Sequence, residues 1–326
     1  MVSIPPVLIG ALVPLTPPGW VEAGRNLLAG LELAVADVNG VGGIAGRPLE
    51  LVVRDTAADP ERAAAAVDEL ADLGVAAVAG EYHSVVARAA AARADALRLP
   101  FLCSSAVLDK LTDQPTDWVA RIAPPQSRGW RTYADFLRGA GHTRVAVVSQ
   151  PSVYWATGTA ILREHLSITE VGVDSVCDDL AASDATALLL LVGHPDPALP
   201  IATAVRADPR HAGILIGAPA GQPEFAEWKA MPGIPFLRYL PESLTAVGER
   251  VASRLPASFV AYEGYDSVLV LAECLRENTW QVTVEGTRGR LEFARGPSVW
   301  QWTRPPIQIA DRDPADPSRF RVLHTG

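Results

Sequence analysis

AVADVNGVGGIAGRPLELVVRDTAADPERA, residues 34–63, is the stretch whose reading decides the fold. Ala34, Val35 and Val38 continue a helical spacing that starts at Leu27 and Leu31, so an amphipathic helix runs into it. NGVGG then stops that helix, and Asn39 with Gly40 suits a left-handed C-terminal cap. LELVVRD (49–55) reads as a strand. Asp59 can cap the next helix, whose first turn holds Pro60 and Glu61. Within thirty residues the chain goes from helix to strand to helix through short connections.

The same alternation extends in both directions. VLIGALVP (7–14) is continuously apolar, as a buried strand is, and LTPPGW follows as a loop. VAAVAG (75–80) is a third strand, Ser84 to Arg98 a third helix, and PFLCSS (100–105) a fourth strand. Successive strand–helix–strand units imply a parallel sheet with right-handed crossovers and helices on both faces. The rhythm restarts after residue 122, with helices over 127–139 and 155–165 and strands at 144–150, 187–192 and 213–217. Residues 258–278 form a long helix with Val260, Gly264, Val268, Leu271 and Leu275 on one side. The short strands RGRLEFARG and PPIQIADRD are expected to complete the two sheets already begun. The fold class is therefore α/β, with two similar doubly wound lobes joined by a hinge that the chain crosses more than once. Lobe 1 is expected over 1–121 plus 243–298, and lobe 2 over 122–242 plus 299–326.

Composition removes several function classes. A chain of 326 residues exceeds what one core usually organises. With 49% hydrophobic and 20% charged residues it is globular. The net charge of -9, without a basic stripe, argues against a nucleic-acid partner. Three widely spaced cysteines form no metal motif, so neither metal nor cofactor is expected; they read as small buried apolar residues. The opening VSIPPVLIGALVPL has no basic region or cleavage site and is too short and Pro-interrupted to span a membrane. A cytoplasmic location is expected from this, or a periplasmic one if the sequence was trimmed.

Residues 34–63 closely resemble the Leu/Ile/Val-binding family of type I periplasmic binding proteins. The family pattern A-x-x-D-x-N-x-x-GG-I-x-G-x-x-L-x-L-x-x-x-D is met by Ala34, Asp37, Asn39, Gly42, Gly43, Ile44, Gly46, Leu49, Leu51 and Asp55. Its D-P-x-x-A continuation is met by Asp59, Pro60 and Ala63. Weaker likeness runs through LPFLCSSA, GHTRVAVVSQ, the GYDSV helix and the late G-R-L-E-F. The resemblance implies two lobes that close on a small solute, with no catalysis. Some relatives carry a disulfide at the places of Ala58 and His83, which is absent here.

The candidate site follows from loops beyond the carboxyl ends of the strands. In GEYHS, Ser84 opens a helix, where its hydroxyl and the first-turn amides would face an anion. The resemblance gives the Ser at this place the ligand carboxylate. Ser84 as a mere helix cap is the alternative. Tyr82 and His83 flank it, and Glu81 has no assigned role. Trp20 corresponds to an aromatic lining the family's pocket. Ser104 and Ser105 follow the fourth strand, Ser105 at a place where relatives use a backbone carbonyl; Val107 replaces a Thr. Tyr154 matches a second-lobe tyrosine, and Trp155 replaces a glycine and should narrow the cleft. His194 is a further second-lobe candidate. Relatives neutralise the ligand's ammonium with a second-lobe acid, but Ala218 and Pro219 stand there. A small carboxylate, an amide or an aromatic acid therefore suits the site better than a plain α-amino acid.

The leading reading is a solute-binding protein that delivers to an ABC transporter permease or signals to a regulatory protein. A nucleotide-dependent enzyme is the second. It lacks a G-x-G-x-x-G or P-loop after the first strand, and two prolines remove amides a pyrophosphate would need. A repressor-like effector core is the third, but a chain opening on a strand has no helix-turn-helix.

Overall fold

A computed structural model describes residues 5–225, 231–255 and 258–326. The chain divides into two compact units. The first runs to Pro124 and resumes over Ser243–Pro306; the second comprises Pro125–Glu242 and Ile307–Gly326. The chain therefore passes between units at Pro124–Pro125, Glu242–Ser243 and Pro306–Ile307. Proline flanks the first and third passages, which fixes a backbone angle at each.

The first unit opens with β1 (Val7–Val13), α1 (Val21–Gly40), β2 (Leu49–Asp55), α2 (Pro60–Asp72), β3 (Ala77–Gly80), α3 (Ser84–Leu97), β4 (Phe101–Cys103) and β5 (Val119–Arg121). In the second unit follow α4 (Gln126–Gly139), β6 (Arg144–Ser149), α5 (Val153–Arg163), β7 (Ser167–Val171), α6 (Val176–Ala182), β8 (Ala187–Leu191), α7 (Ala198–Ala207), β9 (Leu215–Gly217) and β10 (Phe236–Arg238). The chain returns to the first unit with α8 (Ala246–Ala252), α9 (Phe259–Glu277), β11 (Thr283–Glu285), β12 (Arg290–Arg295) and β13 (Trp300–Trp302). It ends in the second unit with β14 (Gln308–Arg312) and β15 (Phe320–Thr325).

The first sheet has the order β11-β12-β13-β5-β4-β3-β1-β2, and β1 to β5 are parallel. The second unit has a parallel sheet of order β7-β6-β8-β9 and a separate antiparallel sheet of order β10-β14-β15. Two sequence expectations change here. PPIQIADRD supplies β14, which pairs with β10 and β15 instead of completing the parallel sheet. Residues 299–306 stay with the first unit, because β13 pairs with β5 and β12.

The quoted stretch folds as read, with one correction. α1 continues through Gly40, and the reversal is made by Gly42 and Gly43, at φ 100° and 72°. Asn39 does something more specific than capping. Its side chain donates to the Leu49 carbonyl (2.9 Å) and accepts from the Leu49 amide (2.7 Å), pinning the end of α1 to the start of β2. Asp37 reaches the late chain, accepting from Arg254 (2.7 Å) and from the Tyr265 hydroxyl (2.9 Å). Asp59 caps α2 by accepting from the Arg62 amide, as its sequence position indicates.

The late helix α9 packs on α1 at backbone distance. A Cβ on Gly30 would lie 2.0 Å from the Ala261 carbonyl oxygen, and one on Gly264 would lie 2.3 Å from that of Leu27. Only glycine permits this approach, and it brings α9 fully into the unit; Phe259 to Val268 are all buried. Gly264→Ala should therefore lower the urea midpoint, with a loss of about 1–3 kcal/mol from overpacking despite alanine's better helix propensity. Gly139→Ala, with nothing within 4 Å of the added Cβ, is the control. Equal midpoints for the two variants would contradict the close contact.

Candidate functional site

The strand order fixes where each unit can hold a ligand. In the first sheet β1 lies between β2 and β3, so connections leave β1 and β3 toward opposite faces and a crevice opens beyond their carboxyl ends. The loop after β1 carries Trp20; the loop after β3 carries Glu81, Tyr82 and His83. Trp20 and Tyr82 stack across that switch point at 5.9 Å between centroids and 25° between planes. Tyr82 meets the His83 ring edge-on at 5.4 Å and 84°. All three are half-buried.

Two carboxylates organise the loops. Asp55 ends β2 and accepts from the Leu15 amide (2.8 Å), the Thr16 hydroxyl (2.6 Å), the Ala57 amide (2.9 Å) and Arg62 (3.2 Å). It thus ties the loop after β1 to the loop after β2. Glu81 is fully buried. It accepts from the Thr56 hydroxyl (2.7 Å), the Tyr82 amide (2.8 Å) and the His83 amide (2.9 Å), and lies 3.1 Å from His83 Nδ1. Sequence reasoning gave Glu81 no role, because nothing in GEYHS tells an inward carboxylate from an outward one.

Ser84 is the first residue of α3, and its hydroxyl accepts from the Leu108 amide at 3.3 Å. That bond leaves the hydroxyl hydrogen for another acceptor. The residue before it, His83, makes no side-chain capping bond. Ser104 and Ser105 follow β4 directly. Both are buried, and their hydroxyls are committed to α9: Ser104 shares a hydrogen bond with Ser267 (2.8 Å) and Ser105 donates to Glu263. They hold the loop after β4 in place, while the Ser105 and Ala106 amides donate to the Glu81 carbonyl.

Glu263 in turn binds Arg288 (3.1 Å), and Arg288 also binds Asp266 (3.2 Å), all with no exposed side-chain surface. Burial raises the Asp266 pKa, opposed by Arg288 and the Thr287 hydrogen bonds.

In the second unit β6 lies between β7 and β8, so the switch point falls between the loops after β6 and β8. The Gly193 amide donates to the Gln150 side chain at 2.6 Å, joining these loops. His194 stands there, half-buried, and burial depresses its pKa to about 3, so it is neutral near pH 7. Tyr154 and Trp155 begin α5. The Tyr154 ring is edge-on to the buried Trp130 at 5.8 Å, and burial pushes its phenol pKa up. Trp155 is only 7% exposed and lies 6.2 Å from Trp130. It is packed against Trp130 within this unit. Gly158 makes room for the cluster, since a Cβ there would lie 2.1 Å from the Trp130 ring.

One other chemical cluster exists among the described residues. Ligand-type atoms of Cys177, Asp208 and His211 lie within 4.8 Å of one another. Asp208, however, is held by Arg210 at 2.6 Å, and His211 Nε2 donates to the Cys177 carbonyl at 2.9 Å. A resident guanidinium already balances this carboxylate. Cys103 and Cys274 are buried thiols as expected, whereas Cys177 is half-exposed.

A sequence profile of the periplasmic binding proteins matches residues 6–295. The chain belongs to the periplasmic binding protein family. Leu/Ile/Val-binding protein homolog 7 of Brucella melitensis is 28% identical over 181 residues, 52% of this chain and 44% of the relative. The match thus spans less than half of that curated relative. The substrate-binding protein of a Streptococcus pneumoniae branched-chain amino acid transporter, solved with isoleucine, shares the fold with a TM-score of 0.82 at 19% identity, over 98% of this chain and 99% of that one. A solute-binding protein of a Rhodopseudomonas palustris ABC transporter, solved with benzoate, does so with 0.80 at 16%, over 98% and 96%. Within the described residues of this periplasmic binding protein, no helix is long and apolar enough to cross a membrane.

The loop scaffold is testable through Asp55. Burial alone would raise its pKa, but the bonds from Thr16, the Leu15 and Ala57 amides and Arg62 outweigh that and hold it below the usual value. The resulting stabilisation is present above the unfolded-state pKa of about 3.9 and is lost as pH falls through the depressed folded value. The stability gap between the native protein and Asp55→Asn should therefore be wide at pH 7 and close toward pH 3. Urea midpoints across that range measure it, and a gap independent of pH would contradict the assignment.

Proposed function

We propose that the chain is a non-catalytic solute-binding protein whose ligand carries a carboxylate or amide, aromatic acids above all. The observation that carries this reading is the face at the β1/β3 switch point. A stacked Trp20–Tyr82 pair stands beside the first turn of α3, where Ser84 has a hydroxyl hydrogen to donate. A flat apolar ring suits the aromatic pair. An anionic head suits the helix dipole, the first-turn amides and the hydroxyl.

Nothing in this constellation favours chemistry. Glu81 is turned inward and accepts from the Thr56 hydroxyl and from the Tyr82 and His83 amides, which commits it to holding the loop. An ammonium group is poorly served as well. Ala218 and Pro219 provide no carboxylate, and a buried unpaired charge costs about 3–5 kcal/mol. One solved protein with this fold holds isoleucine and another benzoate, and the stacked Trp20–Tyr82 pair favours a ligand of the second kind here. Capture by closure of the two units, and handover to an ABC transporter permease or a regulatory protein, complete the proposal.

A thermal-shift panel of benzoate, 4-hydroxybenzoate, aliphatic amides, leucine, valine, NAD and ATP tests it. A solute at a hundred times its dissociation constant should stabilise by about 2.7 kcal/mol. Ser84→Ala should weaken a bound carboxylate by about 1.5–3 kcal/mol, the value of a hydrogen bond to a charged group. Tight leucine or valine binding would overturn the ligand class. Stabilisation by NAD or ATP alone would overturn the function.

A further inference from the structure

Arg121 ends β5, and its side chain is almost wholly withdrawn from water, at 1% exposed. A buried cation is normally paired with a carboxylate. Among the described residues no carboxylate forms an ion pair with this one. Its donors go to main-chain carbonyls of the loop after β4: Leu108 at 2.9 Å, Asp109 at 2.7 Å and, at longer range, Val107 at 3.5 Å. Burial lowers the Arg121 pKa, and the charge of Asp109 opposes this from farther off. Other acids of the unit are bonded elsewhere, Glu81 to Thr56 and two amides, and Glu263 to Arg288. Burial pushes the Cys103 thiol up to about 12, so no thiolate serves as counter-ion.

The same loop reaches Ser84. The Leu108 amide donates to Ser84 Oγ at 3.3 Å. That amide and the Val107 carbonyl are the two ends of one peptide group. Arg121 therefore stands at the oxygen end of the peptide whose hydrogen end rests on Ser84. Hydrogen bonds in such a series polarise one another. A cation at the Val107 oxygen makes the Leu108 amide a stronger donor, and the Ser84 hydroxyl a stronger donor in turn. Arg121 and Leu108 are buried and Ser84 is half-buried, so the hydroxyl is the end of the series that a solute can reach.

We propose that Arg121 is the positioning residue that makes the start of α3 select an acid: by gripping the carbonyls of residues 107–109 it holds the Leu108 amide on Ser84 Oγ and polarises the Ser84 hydroxyl toward a ligand carboxylate. This deepens the reading given above and rests on it, since it requires the solute's polar head to lie at Ser84. A neutral amide head accepts the same hydroxyl hydrogen but gains nothing from the cation behind it. Arg121 thus separates acids from amides of the same shape without touching either.

Calorimetric titration of benzoate against benzamide, and of 4-hydroxybenzoate against 4-hydroxybenzamide, tests this. The native protein should bind each acid more tightly than its amide. Arg121→Met should narrow that ratio by about tenfold, the size of a charge acting over several ångströms in a partly buried site. Arg121→Lys, which keeps the charge, should restore most of the ratio. With Ser84→Ala in place, Arg121→Met should leave the ratio unmoved, because the series of bonds is already cut. Nitrogen–proton NMR of the native protein reads the same series even where loss of a buried arginine prevents folding. The Leu108 amide should move downfield on benzoate binding and stay in place in Ser84→Ala. Equal losses for acid and amide in Arg121→Met, a native preference for the amides, or a Leu108 amide indifferent to bound benzoate overturns the role of Arg121 and leaves the solute-binding reading intact. Failure of all four probes to bind overturns the aromatic-acid reading and the role of Arg121 with it.

Discussion

The buried guanidinium of Arg288 holds the late chain to the first unit. Arg288 has no exposed side-chain surface and lies between Glu263 and Asp266, one turn apart on α9. Removing such a cation from water is expensive, and the pair by itself is weak evidence for stability. Its value here is geometric. Asp266 also accepts from the Thr287 amide and hydroxyl (2.6 and 2.9 Å), so the connection between β11 and β12 can dock on α9 in one register. Thr245, capping α8, donates to the Gly286 carbonyl of the same connection. Glu263 carries the order inward by accepting from Ser105, and the Ser105 and Ala106 amides reach the Glu81 carbonyl. A continuous path of hydrogen bonds thus runs from the returning helix to the loop that bears Tyr82 and His83.

The glycines explain why that path can exist. α9 belongs to the last third of the chain, yet it lies against α1 with two glycines at the contact, Gly30 and Gly264. The backbone approach brings Glu263, Asp266 and Ser267 deep enough to meet the strand ends. Had either helix carried a side chain there, α9 would ride higher and its acids would face solvent. Close packing and the polar network are therefore one constraint, and each makes the other affordable in free energy.

Much of this was legible in the sequence, and what was not shares a cause. Residues 34–63 named their helices and strand because the relevant forces are local: apolar period, glycine reversal, a proline after a capping acid. That Trp20, Tyr82, His83 and Ser84 come near one another was legible because strand order alone puts loop residues at a switch point. The partners of Asn39, Ser104, Ser105 and Glu81 were not legible, since each is set by a residue distant along the chain or by the direction a short side chain takes. The Ser104–Ser267 and Ser105–Glu263 bonds join residues more than 150 positions apart. β14 and β15 escaped for a similar reason: a short strand states its hydrophobic pattern but not which edge it will join. Nor does the sequence announce that Gly158, one turn after Trp155, opens room for the Trp130 ring on which Trp155 packs.

Glu81 shows how one buried side chain can set the geometry of two loops. Its first task is local, holding the amides of Tyr82 and His83 with one oxygen so that α3 can start where it does. Its other oxygen accepts from the Thr56 hydroxyl, which belongs to the loop after β2. A glutamine side chain has a single acceptor oxygen and could serve the two amides or the hydroxyl, but not both in this geometry. The second carboxyl oxygen is therefore what fastens the loop after β2 to the loop that opens α3, and the positions of Tyr82 and His83 follow from the hydrogen bonds that join the two.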